Sequence, residues 1–203
     1  VQVLTQTPPT SAPAARGDGP GRPLSYEEFG RRFLEYAVSE ERVAAAFGEL
    51  TGAAFDIGPI RVGPARLAKV VAHVRLGIPR VHRHLDEVIS FELVLPLRVG
   101  MLVDLGIDRH RFEVDGTVHL HLTARTAEPL RVLIEIAEPR RRDVRVNVAA
   151  GTKRAQLLRV LVGVDHEIRR FVARYIATEI RKPHIASVLD IDVAARLDQA
   201  WRL

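Results

Sequence analysis

The chain has 203 residues, 47% of them apolar, which is enough for one full hydrophobic core. It has no cysteine, so disulfides, thiolate metal sites and thiol nucleophiles are excluded. A formal charge of +5 favours anionic partners, but only 5% of the residues are aromatic and they are not interleaved with the basic ones, so a single-strand nucleic-acid platform is not expected.

Residues Val1 to Pro23 are rich in Pro, Gly, Thr, Ala and Ser without periodicity and predict a disordered tail. One α+β domain is expected over residues 24–203. Ser25 and Glu28 have capping-box spacing, and a helix follows from Tyr26 to about Val38 with Phe29, Phe33, Tyr36 and Ala37 on one face. Ser39 caps a continuation through Val43, Phe47 and Leu50 to Gly52, as a second helix or a bend in the first. Phe55 to Val62, interrupted by Gly58-Pro59, reads as a bent edge strand, and Val70, Ala72, Val74 and Leu76 as a half-buried one.

The centre of the chain alternates without interruption. Ile89, Phe91, Leu93, Leu95, Leu97 and onward to Ile107 hold the odd positions; after a turn at Asp108–Arg111, Phe112, Val114, Val118, Leu120, Leu122 and Ala124 hold the even ones. This predicts a hairpin of two strands with one apolar face. A strand of some twenty residues would reach about 65 Å if flat, far beyond the usual length, so the sheet is expected to curl. Leu130 to Ile136 and Val144 to Val148 continue an antiparallel meander. Thr152 caps a long helix of about thirty residues ending at Pro183, with Leu161, Ile168, Phe171 and Val172 in its apolar stripe and Gly163 as a weak point where Asp165 caps a restart. His184 to Ile191 reads as a short strand, and a last helix carries Val193, Leu197 and Trp201.

The chemistry-bearing residues have plain readings. His119 and His121 share a face and could begin a metal site, yet a third ligand from His73, His82, His84 or Glu128 depends on the fold; solvent-exposed strand positions explain them. Asp104, Asp108, Glu113 and Asp115 surround a turn, where Asp bonds local backbone. Arg140, Arg141, Arg142, Arg169, Arg170 and Arg174 could meet phosphate head groups or form a solvated face. No phosphate-cradling loop or nucleophile elbow is present, and no catalytic residue, metal or cofactor is expected.

The alternations Ile89–Ile107 and Phe112–Ala124 together with the helix Leu157–Ile180 resemble, over residues 55–182, the tubular lipid-binding (TULIP) superfamily. Its domains wrap a long, curved antiparallel sheet around a long helix and hold lipid in the seam. The resemblance implies a long, strongly curved antiparallel β-meander wrapped around a long C-terminal helix, preceded by N-terminal helices. The implied seam is hydrophobic, lined by Ile89, Phe91, Leu93, Leu95, Leu97, Val114, Val118, Leu120, Leu122, Leu161, Ile168, Phe171 and Val172. The expected partner is a lipid or another hydrophobic small molecule, with an anionic membrane surface as a second candidate. A helix-grip (START or polyketide-cyclase-like) enzyme or binder and a solid-core scaffold are the alternatives. No transmembrane helix or signal peptide is expected, and the expected location is cytoplasmic.

Overall fold

The computed structural model describes residues 22–146 and 155–201, with side chains throughout except at 64 and 155–161. The protein is α+β, with a strongly curled antiparallel sheet that forms a half-barrel. At its centre are β4 (Ile89–Asp104) and β5 (Arg109–Ala127), paired from Ser90 opposite Thr123 to Asp104 opposite Arg109. Each facing pair joins an odd residue to an even one, so the apolar parity inverts across the hairpin. Phe91 to Val103 at odd positions are at most 3% exposed, and Val118, Leu120 and Leu122 match them from β5. The turn comes earlier than expected, at 105–108: the Leu105 N–H donates to the Asp108 carbonyl at 2.9 Å, and Gly106 takes φ +89°. Ile107 is therefore a turn residue, 98% exposed, and not a wall residue.

The simple meander is also corrected. β2 (Ala68–Leu76) and β3 (Arg80–Leu85) both pair with the same edge of β4, on Leu97–Asp104 and Ile89–Val94 respectively. β6 (Arg131–Ile136) and β7 (Val144–Val146) likewise share one edge of β5. Two continuous strands are thus flanked by two broken ones. A break relieves the strain of coiling a long strand, which is how the sheet curls. At the first break, the Gly77 N–H still donates to the Pro96 carbonyl at 2.8 Å. β1 (Ala54–Val62) lies beyond β2 as the expected bent edge strand, and β8 (Asp190–Asp192) lies beyond β6.

Two short helices precede the sheet, α1 (Tyr26–Ala37) and α2 (Glu40–Ala46), capped by Ser25 and Ser39 as their spacing predicts. Helix α3 (Ala155–Glu179) lies against β1, β2 and β7 and closes the concave side. It runs through Gly163 without a restart, and Asp165 instead pairs with Arg169 at 2.9 Å. The C-terminal helix expected at about thirty residues to match the sheet is not supported at that length: α3 is described over 25 residues and ends at Glu179. The helix ends where the Arg181 and Lys182 N–H groups tighten onto Thr178 and Glu179, and Pro183 opens a new helix at its first position. That helix, α4 (Pro183–Leu189), replaces the strand expected from His184 to Ile191. α5 (Val193–Ala200) follows β8, with Asp192 accepting from the Ala195 N–H at its start. The expected N-terminal tail, Val148 and the Thr152 cap lie outside the described residues.

Candidate functional site

The residues expected to line a seam converge on one hydrophobic core. Phe91, Leu93, Leu95, Val118, Leu120, Leu122, Ile168 and Val172 are at most 1% exposed and Leu97 is 3% exposed, while Ile89, Val114 and Phe171 are half-buried at its margin. The Leu161 side chain lies outside the described residues. Side chains facing a ligand-sized void would retain surface that a water molecule could reach. Those described in the centre of this seam retain at most 3% of theirs.

Open clefts lie instead around α1, at one end of the half-barrel, the first of them rimmed by the charged Arg31, Glu35, Asp86, Glu87 and Arg125. The first cleft, of about 700 Å³, sits between Arg31, Leu34 and Glu35 of α1, the turn Leu85–Ile89 and the end of β5 at Ala124–Thr126. A second, about 400 Å³, lies between Gly30, Phe33 and Leu34, the β5–β6 turn and Val193. The third, about 610 Å³, runs from Phe33, Tyr36 and Ala37 past Val43 and Ala46 of α2 to Ile134, Val188, Val193 and Leu197. Leu34 and Thr126 border both the first and second clefts, and Phe33 and Val193 both the second and third. The three clefts thus adjoin one another in succession along α1.

The way α1 is held explains why the clefts are open. Its apolar face buries only Ala37, with Leu34 packed on the core margin. Tyr26 is 98%, Phe29 59% and Tyr36 74% exposed. The C-terminal end is tied down: Arg83 donates to the Glu35 carbonyl at 2.7 Å, and Arg42 to the carbonyls of Tyr36 at 2.9 Å and Ala37 at 3.2 Å. Two guanidinium groups thus satisfy carbonyls that a helix end leaves unpaired, and they complement its dipole. Glu40 adds a bond from its carboxylate to the Arg83 N–H at 2.7 Å. Among the described residues, the aromatic N-terminal half of α1 makes no comparable side-chain tie to the rest of the protein. Two of the three Tyr and two of the seven Phe of the chain stand on α1.

No protein-family model matches the chain, and no curated protein matches it.

The polar face of the sheet carries the histidines. His119 Nδ1 lies 2.9 Å from Glu92 Oε1, and His119 Nε2 3.2 Å from Thr117 Oγ1. His121 stands in register with Glu92 and is exposed. Glu92, not one of the residues weighed as a third ligand, is the partner that the hairpin register supplies. Among the described residues no three metal-ligating side chains converge. Asp104 does what a turn Asp does: it accepts from the Gly106 N–H at 2.8 Å and pairs with Arg109 at 3.0 Å. Asp115 pairs with Arg98 at 3.1 Å. No helix among the described residues is long and apolar enough to cross a membrane.

The hydrogen bond from His119, aided by the charges of His119, His121 and His84 and opposed by burial, holds the Glu92 carboxyl below its ordinary value of 4.5. A depressed carboxylate contributes stability above its unfolded value, and that contribution disappears as pH falls through the folded one. Glu92→Gln should therefore lower the urea midpoint at pH 7, with the gap to wild type closing as the pH approaches 3. An equal gap at both pH values would contradict the pairing.

Proposed function

We propose that the protein binds or carries an elongated hydrophobic molecule, a lipid acyl chain or a similar aliphatic ligand, without chemically converting it. The observation that carries this reading is the succession of three adjoining clefts along α1, whose apolar borders include Leu34, Phe33, Val43, Ala46, Ile134, Val193 and Leu197. Each of the three lies in the few-hundred Å³ range of small-molecule sites, and together they favour a long ligand over a compact one. An aliphatic chain needs no directional partners: each methylene withdrawn from water contributes about 0.8 kcal/mol. The likeness to tubular lipid-binding domains supports the class of ligand. It would place the ligand between sheet and α3, where the described side chains are almost fully buried, and the open clefts along α1 offer the more accessible location.

Movement of the N-terminal half of α1 would give the clefts a means of filling and emptying. Closing α1 onto a bound chain would cover Phe29 and Phe33 as well as the ligand, so the exposed aromatics of the empty protein become part of the binding energy. The test is titration of lipid-stripped protein with the fluorescent fatty acid cis-parinaric acid. Saturable binding is expected. Phe33→Asp, at a position 36% exposed and shared by two of the clefts, should weaken it by about tenfold or more while leaving the fold intact. Unaltered affinity in that variant, with a normal circular-dichroism spectrum, would overturn the assignment.

A further inference from the structure

A second cleft, of about 680 Å³, lies between the end of β1, the turn that follows it, and α3. Its polar lining is Arg61, Arg66, His166, Glu167 and Arg170. Arg141 reaches the same place from the turn before β7, with its Nη1 2.9 Å from His166 Nδ1. Three arginines, from β1, the turn and α3, thus line one cleft, a fourth, Arg141, contacts His166 in its wall, and a single carboxylate lines the cleft with them. That carboxylate, Glu167, is already engaged by Arg170 at 2.6 Å. Among the described residues no carboxylate pairs with Arg61, Arg66 or Arg141. Arg141 meets the His166 imidazole instead of an oxyanion, the ligand that a guanidinium fork is shaped to bind.

The turn is built at a conformational cost. Ala65 and Arg66 have φ of +51° and +56°, in the left-handed region that non-glycine residues rarely occupy, with the Arg66 N–H donating to the Gly63 carbonyl at 3.1 Å. Glycine would fit position 66 better. The arginine there holds a guanidinium at the mouth of the cleft, beside α3. The helix forms the other wall, with Gly163 facing Val62: a Cβ there would make ordinary contact at 3.6 Å from Val62 Cβ.

We infer that this cleft binds a phosphate monoester, as a free small molecule or as the headgroup of a lipid. A carboxylate ligand would occupy one guanidinium fork. A phosphate monoester carries up to two negative charges and three terminal oxygens, and so engages several forks at once. The site is separate from the clefts along α1, and neither needs the other.

The test is calorimetric titration of the full chain with glycerol 3-phosphate and with inorganic phosphate, and sedimentation with phosphatidylcholine vesicles with and without phosphatidic acid. Binding in either arm supports the site, and the arm that responds identifies the source of the phosphate. Arg66→Gly should weaken that binding by about tenfold, as expected for one lost charge-assisted contact, while its melting temperature stays equal or rises because the turn relaxes. Arg98→Gln, at an ion pair on the outer face of the sheet, should leave binding unchanged. Failure of the wild type in both arms would overturn the proposal, as would equal losses in Arg66→Gly and Arg98→Gln, which would mean a general charge effect.

Discussion

Phe91→Ala is expected to lower the free energy of unfolding by about 3–5 kcal/mol, the range for truncating a fully buried Phe in a close-packed interior. Phe91 is 1% exposed, pairs with Leu122 on β5 and Arg83 on β3, and belongs to the core that the sheet and α3 share. Removing its ring deletes both the transfer energy of the side chain and the contacts of everything that touched it. Phe29→Ala is the matched control: 59% exposed on α1, it should change stability by less than about 0.5 kcal/mol. Urea unfolding with unchanged slopes would measure both. A cost for Phe91→Ala below about 1.5 kcal/mol would contradict the packed seam, because a side chain that already borders a void leaves little new cavity behind.

Gly116→Ala is the second large effect, and it comes from space alone. A Cβ at position 116 would sit 2.6 Å from the Arg145 carbonyl oxygen, 2.8 Å from Val146 Cγ2 and 3.1 Å from Leu97 Cδ1. The first neighbour is backbone of β7, which cannot swing aside as a long side chain does. β7 must lift off β5, or the hairpin must open against Leu97. Overpacking of this kind costs about 1–3 kcal/mol and more where backbone must move, so a loss of about 3 kcal/mol is expected. Gly100→Ala, on the neighbouring strand β4, has nothing within 4 Å of the added atom. It should be neutral or slightly stabilising, since alanine loses less freedom on folding. Equal losses at the two glycines would contradict the crossing of β7 over Gly116.

The central hairpin was legible in the sequence because period-two alternation reports directly which face of a strand is dry. Its register follows from the turn, and that register pairs Glu92 with His121 and brings it within reach of His119. The breaks at Gly77–Pro79 and after Ile136 were harder to read. Glycine and proline mark a hairpin turn and an interruption of one strand with the same residues, and only the sheet partner separates the two. The segment after Pro183 was misread because Ile185, Val188 and Ile191 resemble a short apolar strand, although proline at a first helical turn was the available signal.

The open clefts were not legible for a different reason. The amphipathic pattern of α1 says that one face is apolar and does not say what covers it. Phe29, Phe33 and Tyr36 share the expected face and are exposed, because among the described residues the apolar side chains of α2, α4 and α5 stand across a cleft from that face. The arginine cleft has the same origin. Arg61 and Arg66 are far in sequence from Arg141 and Arg170, and no local pattern brings them together.

The most direct test of the open clefts is photolabelling of the lipid-stripped protein with a diazirine-bearing fatty acid, followed by peptide mapping. Binding along α1 predicts label on residues of α1, α2 and α4 to α5, with Phe33, Leu34, Ala46, Val188 and Leu197 as the likeliest sites. Label on Phe91–Val103 of β4 or on Val164–Ile176 of α3, or no label above that of heat-unfolded protein, would contradict it.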